Sequence, residues 1–473
     1  MPLPIINVPQ MREWEKATWE TGQTEGEVIR RVGKIVAERA LELTKPGDLI
    51  LILAGKGHNG DDARCACEHL LDRCVDVLEV KKPQESLHKL DALLLLKPAL
   101  VIDGLFGIGI SRALDENWIK FIERVNAAKT CVLAVDVPSG LNADTGEIHG
   151  AAIRATITLT LGAPKGGLLE SKAAQFVGRL EVAPEIGLVP CPLKNESQWT
   201  LPSDFENFPP PRGVATHKGS FGHLAIIAGS FGFHGAAVLA ARGAQRARPG
   251  LITLFTLERV YHSIASQLQA VMVSLWNAKL EFPEKKISAV LIGPGLAAHD
   301  VPHEVSANLR WLWHNSPLPI IVDASALDWL PLDSGHHKSI RLITPHPGEA
   351  ARMLKATIQD VQTDRPGTLK KLSQQFGDCF VALKGHQTVI GKTDGEIFVN
   401  PSGNPHLAQG GSGDLLSGYI AGLLAQPELQ TDPLKTIRYG VWQHGASADL
   451  LDRVQRNWVV EDLAEKLGLA TAA

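Results

Sequence analysis

The chain has 473 residues, of which 44% are hydrophobic and 21% charged, and its formal net charge is -4 at pH 7. This length exceeds what one hydrophobic core usually supports, so we expect two domains in a soluble globular protein. The sequence has no basic stripe interleaved with aromatic residues and no unbroken run of about 18 apolar residues. These features argue against a nucleic-acid partner and against a membrane span.

The cysteine pattern indicates a reducing environment. The six cysteines form no CxxC pair and no zinc-binding spacing, and they lie in apolar or helical contexts: Cys65, Cys67, Cys74, Cys131, Cys191 and Cys379. The segment MPLPIINVPQMREW lacks a charged region followed by an apolar core. We therefore predict a cytoplasmic protein.

The first half of the chain combines helical and strand-like patterns. Apolar residues recur at helix spacing over residues 25–43, which predicts a packing helix: Val28, Val32, Ile35, Val36 and Leu43. Short apolar runs follow: DLILILAG, CVDVLEV, ALVIDGLFG, CVLAVDVPSG and TITLTLGAPKGG. Runs without polar alternation are typical of strands buried on both faces of a parallel sheet, where ligands bind at the carboxyl ends.

Three oxygen-bearing residues stand at or just beyond these strand ends. They are Asn59 in GKGHNGDD, Asp103 in VIDGLFGIG and Ser139 in VDVPSG. Hard oxygen ligands with a single obligatory negative charge suit a monovalent cation better than zinc or iron. The alternative is that each residue only caps a turn or a helix.

The boundary between the two halves is predicted near residue 207. Around LPSDFENFPPPRGVATHKG the hydrophobic pattern gives way to proline and polar residues, as in a stiff linker. We expect domains at residues 1–207 and 208–473. A second strand-rich series runs from GHLAIIAGS to GGSGDLLSGYIAGLLAQ, which predicts another α/β domain without an internal repeat of the first.

A glycine-rich turn precedes the last apolar helix of this series. In QGGSGDLLSGYIAGLLAQ, Gly410, Gly411 and Gly413 lead into the helix, where free N–H groups and the macrodipole favour an anion. Asp414 beside that anion site suits a general base that activates a hydroxyl toward a phosphoryl group. The alternative is a glycine turn in which Asp414 caps the helix.

Several motifs of the second half together resemble a known family. GxGD before an apolar helix resembles the ribokinase-like superfamily. HKGSFGHLAIIAGSFGFHGAAVLAARGA, IGPGL, VDASAL, TPHPGEAARML and ALKGHQTVI, with GGSGD, look like the ADP-dependent NAD(P)H-hydrate dehydratase family. The resemblance implies a ribokinase-like α/β domain in which Asp414 deprotonates the C6 hydroxyl of a hydrated nicotinamide, so that this oxygen attacks ADP. It also implies Mg and a nucleotide donor, ADP or alternatively ATP.

The same resemblance assigns binding residues. Those against the hydrate are Gly235, Ala236, Gly295 and His346, together with Asp414. Those at the nucleotide are Lys384, Gly385, His386, Gln387, Thr388, Gly411, Ser412 and Gly413, with Lys384 to Thr388 and Gly413 holding the AMP portion. From the residues alone, His346 is alternatively a turn residue between prolines, and Lys384 a solvated lysine.

The first half resembles a second family. GKGHNGDDA, VIDGLFGIGISRAL, VDVPSGLNADTG and TLTLGAPKGGLL, in this order, look like the NAD(P)H-hydrate epimerase domain, a Rossmann-like three-layer α/β fold. That family interconverts the R and S hydrates, whereas the dehydratase consumes the S form. The resemblance implies potassium at Asn59, Asp103 and Ser139, and proton handling by Asp136, whose alternative role is to cap the PSG turn. The hydrate-binding residues would be His58, Asn59, Gly60, Asp61, Asp62, Gly107, Ile108, Gly109, Ile110, Ser111, Arg112 and Ala113.

One loop departs from the epimerase pattern, which usually reads GxGNNGGDG. This chain has His58, Asp61 and Ala63 in place of Asn, Gly and Gly. A carboxylate about 5 Å from a substrate phosphate would cost roughly 3 kcal/mol at an effective dielectric of about 20. We expect Lys56 or a protonated His58 to pair with Asp61 and turn it outward, which leaves a working epimerase.

The leading prediction is therefore a bifunctional repair enzyme for hydrated NADH and NADPH. It would bind small-molecule substrates and form a homo-oligomer. One alternative is a small-molecule kinase of the ribokinase superfamily with a non-catalytic N-terminal domain. Another is a dehydratase whose first half is a ligand-binding or scaffolding module.

Overall fold

The computed structural model describes residues 3–110, 112–277, 287–332 and 338–472. Contacts divide the chain into two compact units, Leu3–Asn195 and Glu196–Ala473. The division falls earlier than the expected boundary near residue 207, because Ser197–Trp199 form a strand that pairs with Ile397–Val399. The proline-rich segment therefore belongs to the second unit. No described helix is both long and apolar enough to cross a bilayer.

The N-terminal unit alternates helices and strands. Its helices are α1 (Val8–Trp19), α2 (Glu25–Leu43), α3 (His58–Cys65), α4 (Pro83–Leu95), α5 (Glu116–Ala127) and α6 (Ala174–Val177). Its strands are β1 (Leu3–Pro4), β2 (Leu49–Ala54), β3 (Cys74–Glu79), β4 (Leu100–Gly104), β5 (Cys131–Val135), β6 (Ile157–Leu161) and β7 (Arg179–Ala183). The predicted helix over residues 25–43 is confirmed as α2.

Six of these strands form a parallel sheet in the order β3-β2-β4-β5-β6-β7. Val101 of β4 packs with Phe121 of α5 on one face. Gly104 of the same strand points to the other face, where an added Cβ would lie 2.4 Å from the Cβ of Ala63 in α3. Helices therefore cover both faces, and the predicted three-layer α/β arrangement is confirmed.

The C-terminal unit is larger. Its helices are α7 (His234–Ala247), α8 (Glu258–Ala265), α9 (His303–Asn315), α10 (Pro347–Leu354), α11 (Ile358–Thr363), α12 (Arg365–Gln375), α13 (Ser412–Leu424), α14 (Pro433–Val454) and α15 (Val460–Lys466). Its strands are β8 (Ser197–Trp199), β9 (His223–Ile227), β10 (Leu251–Thr256), β11 (Met272–Leu275), β12 (Ala289–Ile292), β13 (Ile320–Val322), β14 (Arg341–Ile343), β15 (Phe380–Leu383), β16 (Val389–Gly391) and β17 (Ile397–Val399).

These strands follow the order β8-β17-β16-β15-β14-β13-β12-β9-β10-β11. Strand β16 runs antiparallel to β15 and β17, whereas the other neighbouring strands described in this unit pair in parallel. Leu224 and Ile226 of β9 pack toward α7 and α13 on one face, while Ala225 and Ile227 pack toward α9 and α10 on the other. This alternation buries the strand on both faces, as its apolar run predicts.

Helix α13 lies very close to α7. An added Cβ at Gly418 would come within 1.9 Å of the carbonyl oxygen of Ala240, so only glycine allows this approach. An added Cβ at Gly411 would lie 2.2 Å from Leu239. These contacts fix the first turn of α13, and with it Asp414, against the body of the unit.

Two candidate active sites

The N-terminal unit contains a cavity of about 990 Å³ at the carboxyl ends of β2, β4 and β5. The predicted site residues that line it are His58, Asn59, Asp62, Gly107, Ile108, Gly109, Ile110, Arg112, Ala113 and Asp136. Gly60 and Asp61 lie outside its lining, and Ser111 lies outside the described residues. Most of the predicted N-terminal site residues are therefore brought to one cavity.

The three predicted cation ligands meet around Phe106. The Asn59 side-chain amide donates to the Phe106 carbonyl oxygen at 2.9 Å, and the Ser139 hydroxyl donates to Asp103 Oδ1 at 2.7 Å. The Phe106 N–H in turn donates to Ser139 Oγ at 2.9 Å. Sequence reasoning missed the Phe106 carbonyl, because a backbone oxygen leaves no side-chain signal.

This oxygen cluster fits a monovalent cation chemically. Asp103 supplies its one carboxylate and is fully buried, and burial raises the pKa of that carboxyl to about 6 although hydrogen bonds from Ser139 oppose the shift. Asn59 and Phe106 supply neutral oxygens. In the described part of the chain, no three His, Cys, Asp or Glu side chains are grouped to hold a metal ion, so a zinc or iron centre has no support there.

Asp136 is held in a left-handed backbone conformation, with φ of 63°, directly after β5. Its Oδ1 atom accepts hydrogen bonds from Lys165 Nζ at 2.6 Å, from Thr160 Oγ1 at 3.1 Å and from the Leu161 N–H at 3.1 Å. These donors come from β6 and the loop after it, not from the PSG turn. The side chain is thus tied to the neighbouring strand at the edge of the cavity.

Lys165 is a site residue that sequence reasoning missed. Its side chain is 0% exposed, and its ammonium donates to Asp136 Oδ1, to Thr160 Oγ1 at 3.2 Å and to the Leu161 carbonyl at 2.8 Å. These three bonds use all three donors of the group. Its only signal in the sequence is its position in GAPKGG, because lysine is ordinarily an exposed residue.

A second carboxyl in this cavity, that of Asp62, also has a raised pKa. Burial raises the pKa of Asp62 to about 8, with further contributions from Asp136, Asp61 and Glu15. Burial and the charge of Asp136 also raise the pKa of Glu15. A carboxyl with a raised pKa and a lysine-bound carboxyl on one cavity are a combination suited to acid and base roles.

The altered loop places its extra charge away from the cavity. Asp61 Oδ1 lies 2.5 Å from Arg64 Nη2, and Arg64 Nη1 also donates to the Gly55 carbonyl at 3.0 Å. His58 instead lies 3.6 Å from Glu25. The expectation that Lys56 or His58 pairs with Asp61 is therefore wrong, because the Asp61 carboxylate pairs with Arg64, which lies one turn further along α3.

The second candidate site lies at the start of α13. Gly411 precedes the helix with φ of 92°, and Asp414 lies in the first turn. Burial, the charge of Asp323 and the charge of Glu349 raise the pKa of Asp414 to about 6, and Lys384 opposes this shift. Asp414 is thus a partly desolvated base beside free helix N–H groups.

Lys384 is bound by two acidic residues that sequence reasoning did not single out. Its Nζ lies 2.8 Å from Asp323 Oδ1 and 3.9 Å from Glu349 Oε2. Both acidic side chains are buried, and their attraction raises the pKa of Lys384 although burial of the ammonium opposes the shift. Both residues lie within the motifs VDASAL and TPHPGEAARML, which is the signal that identifies them.

The remaining predicted residues lie around these elements. His346 caps α10, since its Nδ1 accepts from the N–H groups of Gly348 and Glu349 at 3.0 and 3.3 Å. Gly295 and Ala236 are neighbours, because an added Cβ at Gly295 would lie 3.1 Å from the Cβ of Ala236. Gly235 lies at the start of α7. The turn between β15 and β16 contains His386, Gln387 and Thr388.

Comparison with known proteins finds a family match in each unit. The NAD(P)H-hydrate dehydratase family model matches residues 224–469, and the model of the YjeF-related protein N-terminus matches residues 74–167. The bifunctional NAD(P)H-hydrate repair enzyme Nnr of Coxiella burnetii is 32% identical over 465 residues, covering 93% of each chain.

Solved structures also match the second unit. The ADP/ATP-dependent NAD(P)H-hydrate dehydratase of Bacillus subtilis, co-crystallised with ATP and Mg2+, is 31% identical with a TM-score of 0.49, covering 55% of this chain and 91% of that one. A ribokinase-like superfamily protein of Enterococcus faecalis, 23% identical, covers 59% of this chain and 96% of its own with a TM-score of 0.52, which confirms the predicted ribokinase-like fold. With a full-length relative and a family model over half of its residues, the chain belongs to the family of bifunctional NAD(P)H-hydrate repair enzymes.

Proposed function

We propose that this protein restores hydrated NADH and NADPH to their active forms. The N-terminal unit interconverts the R and S hydrates, and the C-terminal unit dehydrates the S hydrate with ADP. The observation that carries the proposal is Asp414, a half-buried base in the first turn of α13, beside Lys384 and in a chain of this family.

Asp414 begins the dehydration by accepting the proton of the C6 hydroxyl. The freed oxygen attacks the terminal phosphorus of ADP, the bond to the bridging oxygen breaks, and AMP leaves. The ring nitrogen then expels the C6 oxygen as inorganic phosphate, and loss of a C5 proton regenerates the dihydronicotinamide. The N–H groups of Gly411 and Gly413 would stabilise the charge on the transferred group, whereas the Ser412 N–H donates to the Gln409 carbonyl at 3.3 Å.

Mg2+ would enter this site with the nucleotide. Because no three-ligand group exists among the described residues, its ligands would be mainly diphosphate oxygens and water, which this ion favours. It would neutralise the diphosphate. The other nucleotide contacts are proposed for residues 384–388, and the hydrate contacts for Gly235, Ala236, Gly295 and His346.

In the N-terminal unit, Asp136 would move the proton during epimerisation. Residues 58–62 and 107–113 are proposed to hold the hydrate, with Asp61 acting only through its pair with Arg64. Potassium would be held by Asn59, Asp103, Ser139 and the Phe106 carbonyl, and would hold the loops after β4 and β5 in place.

The test follows recovery of NADH absorbance from a mixture of R and S hydrates with ADP, Mg and potassium, faster than spontaneous epimerisation. The wild type should recover both epimers. Asp414→Asn should recover neither, and Asp136→Asn should stall when the S form is used up. A stable phosphorylated product would instead establish a kinase, and normal epimerisation by Asp136→Asn would leave the N-terminal unit as a binding module.

A further inference from the structure

The surroundings of Lys384 differ from those of Gly385 and His386, the next two residues of its motif. It follows β15, where its N–H donates to the Pro345 carbonyl at 2.8 Å and its carbonyl accepts from Arg365 at 3.3 Å. Gly385 and His386 continue into an exposed turn. The side chain of Lys384 is only 16% exposed. Its backbone is therefore fixed while its side chain turns inward.

The Lys384 ammonium is directed at the first turn of α13. An added Cβ at Gly413 would lie 3.2 Å from Lys384 Nζ, and the charge of Lys384 acts on the next residue, Asp414. The N–H groups at the start of a helix favour an anion, which makes this turn a candidate phosphate site. A lysine at this point faces the group that is transferred, and not a group farther along the nucleotide.

Asp323 explains why the ammonium stays there. It is 1% exposed, and its Oδ1 takes one of the three ammonium donors at 2.8 Å. Glu349, at 3.9 Å, attracts the same charge beyond ordinary hydrogen-bond distance. The remaining donors are available to phosphoryl oxygens, which lysine binds as a point charge.

We propose that Lys384 contacts the terminal phosphoryl group of the donor, not its AMP portion, and that Asp323 is the residue that positions it. The inference deepens the proposed function and rests on its assignment of ADP as the donor. It divides the motif at residues 384–388 into a phosphoryl-binding lysine and a turn that meets the rest of the nucleotide.

The test compares ADP with AMP, because AMP lacks the group in question. Affinities of the full-length protein for both are measured by titration calorimetry with Mg present. Lys384→Met should weaken ADP binding about 10- to 100-fold, the range expected for a charge-assisted hydrogen bond, and change AMP binding less than about twofold. Thr388→Ala should weaken both ligands by the same factor.

Two further variants separate this inference from a loss of folding. Lys384→Met combined with Asp323→Asn removes both charges of the 2.8 Å pair and should show the same selective loss of ADP. Lys392→Met, at a lysine that lies over Phe380 at the opposite end of β15, should change neither affinity. Equal weakening of ADP and AMP by Lys384→Met, or no weakening of either, overturns the inference. If Lys384→Met selectively weakens ADP binding but the wild-type protein regenerates no NADH, the inference is upheld and the proposed function is refuted.

Discussion

Replacing Lys165 with methionine should destabilise the N-terminal unit severely. The methionine fills a similar volume but removes an ammonium whose side chain is 0% exposed and which lies 2.6 Å from Asp136 Oδ1. The carboxylate, 10% exposed, is then left without its counter-charge. Breaking a buried ion pair on one side typically costs about 3–5 kcal/mol in the free energy of unfolding.

The double variant Lys165→Met with Asp136→Asn should recover most of this loss, because neither charge remains. The asparagine still accepts from Thr160 and the Leu161 N–H, which bond to Oδ1 in the wild type. We expect a coupling energy of about 2 kcal/mol or more between the two positions, within the range for directly contacting groups.

Hydrogen exchange followed by mass spectrometry is the suitable assay, because the two units need not unfold together. Amides of β6, beside the pair, report the opening free energy of the N-terminal unit, and amides of β9 serve as an internal control that should not change. A loss below about 1 kcal/mol in the single variant, or additive losses in the double variant, would refute the view of Lys165 as a buried counter-charge.

Three further outcomes are expected. The kcat/KM of dehydration should fall as the pH drops below about 6, because only ionised Asp414 accepts a proton. Asp323→Asn should move this fall to lower pH, because it removes a negative charge that raises the pKa of Asp414. A pH profile of this variant identical to that of the wild type contradicts the assignment. Asp61→Gly should change the KM of epimerisation less than about twofold, whereas Arg64→Ala should raise this KM about tenfold because it releases the Asp61 carboxylate. Steady-state kinetics with the R hydrate measure both values, and a larger effect of Asp61→Gly than of Arg64→Ala contradicts the pairing. Gly418→Ala should lower the stability of the C-terminal unit by more than about 1 kcal/mol, since the new methyl group meets a backbone carbonyl of α7, and an unchanged urea midpoint would contradict that contact.

The sequence predicted the regular parts of the fold well. Helix α2 matches the predicted residues 25–43, and each quoted apolar run of the first half contains a strand of the parallel sheet. Periodicity and burial are properties of neighbouring residues, so they can be read locally. The contacts divide the chain before the boundary expected near residue 207, because β8 has only three residues and is stabilised by β17, which lies about two hundred positions later in the chain.

Site residues were predictable where nearby sequence defines their role, and they were missed where a residue far along the chain defines it. Asn59, Asp103 and Ser139 were predicted as one cluster because strand ends converge in a parallel sheet. Lys165 and Asp323 were missed, since a buried charge is recognised only by its partner, and that partner lies 29 or 61 positions away. The residue type alone does not predict such a buried ion pair.

The Asp61–Arg64 pair has a consequence for how this loop can change. Both residues lie on α3, three positions apart, so the charge and its neutralisation belong to one continuous segment. Positions 61 and 64 can therefore be exchanged as a pair, so that the carboxylate is never left without this counter-charge. Related chains that carry an acidic residue at position 61 should carry a basic one at position 64, whereas those with glycine at 61 are free of that constraint.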